Sequence, residues 1–303
     1  MRLRRILSDG LLHVQRLGRD GLWEPWDEDD ALGGTVFDLQ WQLLRAREHL
    51  RDSQCLTPFF PLSFRDFLLF ERHNIDATRG LVSRFHPMQY RAASAFEWLA
   101  GRPFPLYRPR PLFRRQPLYY MANHVTFIPS GTPVAAPAYT RALDYELEIG
   151  FVLSEPLFDA SPAEAVNAIG SFVVINDLSA RDIQRSEMQS LFGPQKAKHF
   201  ASSMSETAVT ADEILPQINQ LTGSVAINGK TVSSVSSTEM AWSIGEVLAH
   251  ASRSEQLLPG ELLATGTLPG GSGMEIGRWL QPGDQLTLTI DQIGQIEHRI
   301  TAA

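Results

Sequence analysis

The stretch Asp144-Tyr145-Glu146-Leu147-Glu148-Ile149 alternates acidic with apolar residues at a period of two. Because successive side chains of a β-strand point to opposite faces, the alternation predicts a strand with Glu146 and Glu148 side by side. On a solvent-exposed face, the two carboxylates would form an ordinary hydrophilic surface. On an enclosed face they would need a cation or a shared proton, since burial of unpaired charge is costly. Oxygen ligands of this kind suit Mg²⁺, Ca²⁺ or Mn²⁺.

A third acid, Asp177, follows the short apolar run at residues 172–175. The run predicts a buried strand, and residues 179–184 after it are typical of a helix, so Asp177 is either a helix N-cap or a further ligand. Arg181 and Gln184 are three residues apart and would share one face of that helix. They could meet a substrate anion there or lie exposed to solvent.

Asp66 and His73 lie seven residues apart, in a segment for which a helix is plausible over residues 64–75. Seven residues make two helical turns, so a carboxylate and an imidazole could face one site. The alternative is that His73 is a surface residue or a hydrogen-bonded core residue, as most helical histidines are.

Two serines mark helix starts later in the chain. Ser161 and Ser243 are each followed three residues later by a glutamate, which predicts capping boxes, and Gly170 is expected to end the first of these helices. Apolar residues at helical spacing also predict an amphipathic helix over residues 36–52.

Strand signals outnumber helix signals. Residues 145–153 predict a strand, Asn228-Gly229 predicts a tight hairpin, and residues 286–290 with 293–300 predict another. Prolines and arginines alternate with short apolar groups over residues 101–138, which indicates loops and edge strands. Many short strands without a repeated βαβ pattern favour an α+β, β-rich fold.

Composition bounds the class of protein. The 303 residues are 43% hydrophobic and 20% charged, as in a soluble globular protein with a large core. The net charge of −7 and the lack of a long basic tract argue against a nucleic-acid partner. No apolar run approaches the roughly 18 residues of a membrane span, and a single cysteine, Cys55, excludes an internal disulfide. We therefore expect a cytoplasmic protein without a membrane partner.

Together the motifs resemble the fumarylacetoacetate hydrolase family. Val173-Val174-Ile175-Asn176-Asp177-Leu178-Ser179-Ala180-Arg181-Asp182-Ile183-Gln184 looks like the family signature, and the Glu146-Leu147-Glu148 strand precedes it at the expected interval. The resemblance runs from about residue 60 to 300. It implies a fumarylacetoacetase C-terminal-like core, a mixed β-sandwich or β-roll with peripheral helices. It also implies a small N-terminal segment over residues 1–60, a catalytic domain over residues 61–303, and a homodimer.

The resemblance also assigns site residues. It implies metal ligands at Asp66, Glu146, Glu148 and Asp177, catalytic residues at His73, Glu275 and Lys198, and substrate-binding residues at Arg181, Gln184, Tyr120 and Thr267. The alternatives are a solvated Lys198, an ordinary turn over residues 265–273, an exposed Glu275 and a core Tyr120. Leu68 departs from the family, because the animal hydrolases carry a tyrosine there, and this leaves the substrate open.

The activity implied is hydrolysis of a carbon–carbon bond in a β-diketo acid, either an acylpyruvate or a fumarylacetoacetate-like compound. The expected cofactor is a divalent cation, Mg²⁺ before Ca²⁺ or Mn²⁺, with His73 activating water and a metal-stabilised enolate as leaving group. The nearest alternative is a decarboxylase or isomerase of a 2-oxo or 2-hydroxydienoate dicarboxylic acid in aromatic catabolism. A non-catalytic binding protein is the alternative from another class. The glycines at residues 270–273 form neither a P-loop nor a dinucleotide fingerprint.

Overall fold

The computed structural model describes residues 1–8, 11–26 and 55–302. The strands are β1 (Arg2–Ser8), β2 (Leu11–Leu17), β3 (Trp23–Pro25), β4 (Phe64–Phe67), β5 (Tyr119–Ala122), β6 (Phe127–Pro129), β7 (Val134–Ala135), β8 (Leu143–Asp144), β9 (Leu147–Leu153), β10 (Ile169–Asn176), β11 (Ser179–Ala180), β12 (Ser202–Met204), β13 (Thr207–Thr210), β14 (Thr222–Ile227), β15 (Lys230–Ser236), β16 (Leu262–Ala264), β17 (Gln285–Ile290) and β18 (Gly294–Thr301). The α-helices are α1 (Glu71–Phe85), α2 (Pro87–Ala100), α3 (Pro162–Asn167), α4 (Arg181–Gln189), α5 (Ala211–Ile214), α6 (Ile244–Ala251) and α7 (Gly273–Ile276). Short 3₁₀ helices lie at Pro105–Tyr107, Pro111–Arg114, His124–Thr126 and Leu215–Gln217.

The main sheet runs in the order β3-β2-β1-β13-β10-β9-β16-β4-β5, and β12 joins it by pairing with β10 and β6. A five-stranded sheet has the order β15-β14-β17-β18-β7, and β11 pairs with β8 in a short ladder. Strands β9 and β10 are antiparallel neighbours and are buried along their whole length. Both are rich in apolar residues because both faces of the main sheet are covered.

Alternate residues of the central strands face two different cores. Phe151 of β9 and Phe172 of β10 face the core that includes the five-stranded sheet, with ring centroids 6.0 Å apart. Val152 and Val173 belong to a second core on the opposite face. Glu148 has the same parity as Val152, so the strand period of two sends its carboxylate to the second face.

Residues 64–75 do not form one helix, and that prediction was wrong. Phe64–Phe67 is strand β4, parallel to β16 and antiparallel to β5, and helix α1 begins at Glu71. The reason is packing: Phe64 fills one core and Phe67 the other, on opposite faces of the sheet. A helix would place residues three apart on one face instead. A change from strand to helix, and not helical periodicity, therefore brings Asp66 and His73 into one region.

Local signals predicted other elements well. Capping boxes are present at Ser161 and Ser243, where α3 and α6 begin. Asn228 and Gly229 both have positive φ, as a two-residue hairpin turn requires, and join β14 to β15. Gly170 was wrongly predicted as the end of α3, because the helix ends at Asn167 and Gly170 lies within β10.

Of two further local predictions, one is confirmed and one is wrong. The predicted hairpin at the C-terminal end is confirmed as β17 and β18. Asp177 is not a helix N-cap, since Ala180 holds that position in α4.

The helix predicted over residues 36–52 lies outside the described residues. The domain boundary near residue 60 stays a prediction, although β1 pairs with β13 of the main sheet. The strand-rich α+β class is confirmed. In the part of the chain that the structure describes, no helix is both long and apolar enough to cross a membrane.

Candidate active site

Three buried carboxylates meet at one end of the central strands. Asp66 lies on β4, Glu148 lies on β9, and Asp177 directly follows β10. One oxygen of each lies within 4.8 Å of the others. Strand pairing fixes this arrangement, because Glu148 is opposite Ile175 in β10 and Asp66 is opposite Ala264 in β16. Three of the four predicted metal ligands are thus brought together by non-local pairing.

Two oxygens of this cluster have no hydrogen-bond donor among the described residues. They are Oδ1 of Asp66 and Oε2 of Glu148. Burial raises the pKa of both carboxyls well above their ordinary values, and repulsion from neighbouring carboxylates raises the pKa values further. The fold alone therefore opposes their ionisation, and a bound cation would stabilise it.

Glu146, the fourth predicted ligand, faces two cationic side chains. Its Oε1 accepts a hydrogen bond of 2.7 Å from Nη2 of Arg181, and its Oε2 contacts Nζ of Lys198. Burial opposes ionisation of Glu146, but Arg181 and Lys198 outweigh this effect and hold its pKa below the ordinary value. Lys198 also donates to Oδ2 of Asp177 at 2.5 Å. Its ammonium therefore links Glu146 to the three-carboxylate cluster.

The buried charges around the cluster do not balance. Among the described residues, five buried carboxyl groups face two buried cations, which would leave an excess of three negative charges if all five were ionised: Asp66, Asp144, Glu146, Glu148 and Asp177 against Arg181 and Lys198. A divalent cation would offset two of these charges. The unpaired oxygen donors are hard ligands of the kind that Mg²⁺, Ca²⁺ and Mn²⁺ prefer, so the residues present fit such an ion.

Asp144 belongs to the site, although sequence reasoning gave it no role. Its buried carboxylate accepts hydrogen bonds from Nε of Arg181 at 2.8 Å and from the backbone N–H groups of Gly273 and Met274 at 2.8 and 3.0 Å. It thereby fixes the arginine and the start of α7 to each other. The signal was available, because Asp144 precedes the two strand glutamates at the same period of two.

His73 lies in the first turn of α1 and is buried beside two carboxylates. Its Nδ1 is 3.3 Å from Oε2 of Glu275, an ion-pair distance without the alignment of a hydrogen bond. Its Nε2 is 4.0 Å from Oε1 of Glu146. One ring nitrogen therefore faces Glu275 and the other faces the side of Glu146. The structure brings together the two residues that the resemblance pairs as base and orienting acid.

Local structure holds Glu275 in place. Its carboxylate accepts three hydrogen bonds of 3.1 Å, from the backbone N–H groups of Gly270 and Ser272 and from the Ser272 hydroxyl, in the capping box of α7. Helix α1 approaches α7 closely at Gly80, where a Cβ atom would overlap the backbone oxygen of Met274. This contact sets the spacing between the helix that carries His73 and the helix that carries Glu275.

Tyr120 and Thr267 contact the carboxylate cluster directly. The Tyr120 hydroxyl donates to Oδ2 of Asp177 at 2.8 Å, and burial raises the pKa of that hydroxyl well above its ordinary value. The Thr267 hydroxyl donates to Oε1 of Glu148 at 3.3 Å. Gly266, with a φ of +75°, lets the loop pass so close to the backbone of β4 that a side chain would not fit.

Arg181 is fully engaged by the protein. Its Nε binds Asp144, its Nη1 donates to Oε1 of Gln184 at 2.8 Å, and its Nη2 binds Glu146. Burial lowers the pKa of the guanidinium, but the two carboxylates outweigh it and raise that pKa. The predicted proximity of Arg181 and Gln184 on one helix face is therefore observed. A substrate anion would have to compete with two buried carboxylates for this guanidinium.

A cleft of about 690 Å³ opens onto these groups. Its inner end includes Asp66, Glu146, Glu148 and Lys198, and its sides are formed largely by α1 and α4. A polar end lined by carboxylates combined with a mostly apolar passage is the arrangement expected of a small-molecule site.

The fumarylacetoacetate (FAA) hydrolase C-terminal model matches residues 93–301. The chain belongs to the fumarylacetoacetate hydrolase family. The matched region includes Glu146, Glu148, Asp177 and Lys198, whereas Asp66 and His73 precede it. Uncharacterised proteins from Staphylococcus aureus strains USA300 and Mu50 are 33% identical over 160 residues, which is 52% of this chain and 52% of theirs. The match thus spans about half the length of these curated relatives.

Solved structures of similar fold cover the whole chain. A fumarylacetoacetate hydrolase from psychrophilic Exiguobacterium antarcticum and a 5-carboxymethyl-2-hydroxymuconate delta-isomerase from Mycobacterium smegmatis each have a TM-score of 0.69 and 20% identity, covering 100% of both chains. A 2-hydroxyhepta-2,4-diene-1,7-dioate isomerase from Mycobacterium marinum has a TM-score of 0.68 at 20% identity, covering 100% of this chain and 98% of that one. At this level of identity the likeness establishes the fold.

Proposed function

We propose that the protein is a divalent-cation-dependent hydrolase that cleaves a carbon–carbon bond in a β-diketo acid of the acylpyruvate or fumarylacetoacetate type. The observation that carries this proposal is the His73–Glu275 pair, which shares one region with the three-carboxylate cluster. Carboxylates and a cation suffice for chemistry through an enolate. An imidazole beside an orienting carboxylate adds what hydrolysis needs, a general base for water.

The proposed roles follow from the contacts. Asp66, Glu148 and Asp177 would hold the cation, for which we propose Mg²⁺. When bound, it supplies a Lewis acid and a template for the oxygens of the substrate. Lys198, held by the Glu146 and Asp177 carboxylates, keeps a positive charge beside the place where negative charge develops.

His73 is proposed to activate the attacking water. The Glu275 carboxylate, 3.3 Å from Nδ1, would favour the tautomer with its proton on Nδ1, which leaves Nε2 able to accept a proton from water. Transfer of a water proton to Nε2 yields an imidazolium that Glu275 stabilises, and the hydroxide adds to the ketone carbon. The carbon–carbon bond then breaks, the added oxygen ends in the carboxylate product, and the electron pair leaves as an enolate. The enolate takes up a proton at carbon to give the ketone product, and His73 loses the proton that it gained from water.

The test compares His73→Ala and the more conservative His73→Gln with the wild type on acylpyruvates in the presence of Mg²⁺. We expect kcat to fall about 10²–10⁴-fold, the usual contribution of a general base, while calorimetry shows cation binding retained. His250→Ala, on α6 and away from the cleft, is the matched control. Near-full turnover by both His73 variants would refute the hydrolase assignment.

A second candidate is an isomerase or decarboxylase of a 2-oxo or 2-hydroxydienoate dicarboxylic acid. The solved structures of similar fold include proteins named as isomerases, and such reactions would use the carboxylate cluster without an attacking water. Assays with acylpyruvates, oxaloacetate and a hydroxymuconate-type dienoate in ¹⁸O-labelled water separate the candidates. Hydrolysis places one labelled oxygen in a new carboxylate product, whereas isomerisation and decarboxylation release no such product.

A further inference from the structure

The passage that leads out of the candidate active site is lined mostly by apolar surface. His73, Ala77 and Leu81 follow one another at four-residue intervals on α1, so they share one helix face, and all three line the cleft. Val82 lines it beside them, and Met188 lines it from α4. A substrate that reaches outward from the cation site would therefore place a hydrocarbon portion between these side chains.

The two cations at the inner end are already neutralised by the protein. Arg181 binds Asp144 and Glu146, and Lys198 binds Glu146 and Asp177. Both side chains are buried with these partners. Neither therefore offers an uncompensated charge to an anionic group farther out in the cleft.

Arg185 lies one turn after Arg181 on α4 and also lines the cleft. The four residues between them correspond to a rise of about 6 Å along the helix axis. Its guanidinium carbon is 5.4 Å from the centroid of the Phe85 ring, a cation–π contact that restricts the side chain. Within the described residues it makes no hydrogen bond or ion pair with a carboxylate. A half-buried guanidinium with five donors and no acidic partner is suited to a carboxylate ligand.

The acids nearest to Arg185 on its own helix are bound elsewhere. Asp182 accepts hydrogen bonds from the Thr140 hydroxyl at 2.5 Å and from the backbone N–H of Arg141 at 2.9 Å. Glu187 accepts hydrogen bonds of 2.7 to 3.2 Å from the backbone N–H groups of residues 195–197. Both carboxylates are therefore bound to other donors and form no ion pair with Arg185.

We propose that Arg185 binds a second, distal carboxylate of the substrate, so that the enzyme prefers dicarboxylic β-diketo acids with a short hydrocarbon spacer to those with an uncharged tail. The chemistry of the substrate head group rests on the proposed function. The distal subsite rests on Arg185, Phe85 and the apolar walls. Arg185 is thereby a specificity-determining residue and takes no part in bond breaking.

The test uses two substrates that differ at one end, 2,4-dioxoheptanedioate and 2,4-dioxoheptanoate, assayed with Mg²⁺. The wild type should prefer the diacid. Arg185→Gln should raise the KM for the diacid about 10–100-fold with little change in kcat, and leave the KM for the monoacid unaltered. Arg185→Lys should retain part of the preference. Arg72→Gln, at an exposed arginine of α1 outside the cleft, is the matched control.

Binding of 2-oxoheptanedioate and 2-oxoheptanoate, measured by calorimetry, tests the role of Arg185 independently of the proposed hydrolase activity. Neither compound has the second ketone needed for cleavage, so only binding is measured. If neither dioxo acid is cleaved, the proposed hydrolase activity fails, and the binding ratio of these probes still tests Arg185. Selective loss of diacid binding in Arg185→Gln supports the inference. Equal binding of both probes by the wild type, no binding of either, or equal losses in the variant would overturn it.

Discussion

Glu148 is a buried carboxylate whose charge the surrounding residues do not satisfy. One oxygen accepts a hydrogen bond from Thr267, and the other has no donor among the described residues. Burial raises the pKa of Glu148 well above its ordinary value, and the charge of Asp66 raises it further. A glutamine has the same shape as the neutral acid. We therefore expect Glu148→Gln, in the presence of EDTA, to unfold at a temperature no lower than that of the wild type.

The stabilisation by Mg²⁺ should be much larger in the wild type than in Glu148→Gln. At a Mg²⁺ concentration 100 times its Kd, the wild type should gain about 2.7 kcal/mol of unfolding free energy, whereas Glu148→Gln should gain little because an amide is a weaker ligand. Thermal unfolding with EDTA and with MgCl₂ measures both effects. Glu155→Gln, at an exposed glutamate just after β9, serves as the control. An equal gain in wild type and Glu148→Gln would contradict the assignment of Glu148 as a ligand.

Secondary-structure elements were predictable where their signals are local. The capping boxes at Ser161 and Ser243 and the Asn228-Gly229 turn depend on residues only a few positions apart, and the structure contains all three. Strand β4 was not predictable in this way. Its four residues become a strand because β16 and β5 lie on either side of it, and both neighbours are distant in sequence.

The same distinction applies to the site. The acidic alternation in the opening stretch predicted Glu146 and Glu148 as neighbours, but among the described residues it is Glu148 that forms a three-carboxylate cluster, with Asp66 and Asp177 from other segments. Which acid would pair with cationic side chains was not predictable, because this depends on where Arg181 and Lys198 lie. These two side chains reach Glu146 from positions 35 and 52 residues away.

Contact between two helices sets the geometry of the proposed base. At Gly80 the approach of α1 to α7 leaves no room for a Cβ atom against the backbone oxygen of Met274. Gly80→Ala should therefore push α1 outward and lengthen the contact between His73 and Glu275. We expect a loss of about 1–3 kcal/mol in unfolding free energy, partly offset by the better helix propensity of alanine, and a fall in kcat on the order of 10²-fold.

Urea unfolding and steady-state kinetics measure the two effects of Gly80→Ala. Ser83→Ala, at an exposed position of the same helix, should leave both quantities nearly unchanged. Wild-type kcat in Gly80→Ala would show that the spacing of the two helices does not control the base.

At the scale of the whole molecule, His298 joins the two larger sheets. It lies on β18 of the five-stranded sheet, and its Nε2 is 2.7 Å from the hydroxyl of Ser203, on β12 of the main sheet. Its Nδ1 is 2.7 Å from the backbone oxygen of Thr132, which can only accept, so Nδ1 carries the proton. Burial lowers the pKa of His298 to about 4, although the bond to Thr132 opposes this shift.

Because the pKa of His298 is lowered, the contribution of this contact between the sheets to the unfolding free energy should decrease in acid. Above the ordinary histidine pKa of about 6.5, the ring is neutral in both the folded and the unfolded chain, and its contribution to stability is fully present. Between about pH 6.5 and 4 the unfolded chain takes up a proton that the folded chain excludes, so the unfolding free energy falls as the pH falls. The total loss should be on the order of 3 kcal/mol.

His298→Gln should be less stable than the wild type at pH 7, because the hydrogen bonds of this side chain to Ser203 and Thr132 are weakened, but its stability should decline less between pH 6.5 and 4. Urea unfolding at pH 7, 6, 5 and 4.5 measures both slopes. Carboxylates titrate in both proteins, so the difference between the slopes isolates His298. Parallel slopes would mean that the folded protein accommodates the imidazolium and that acid weakens the molecule elsewhere.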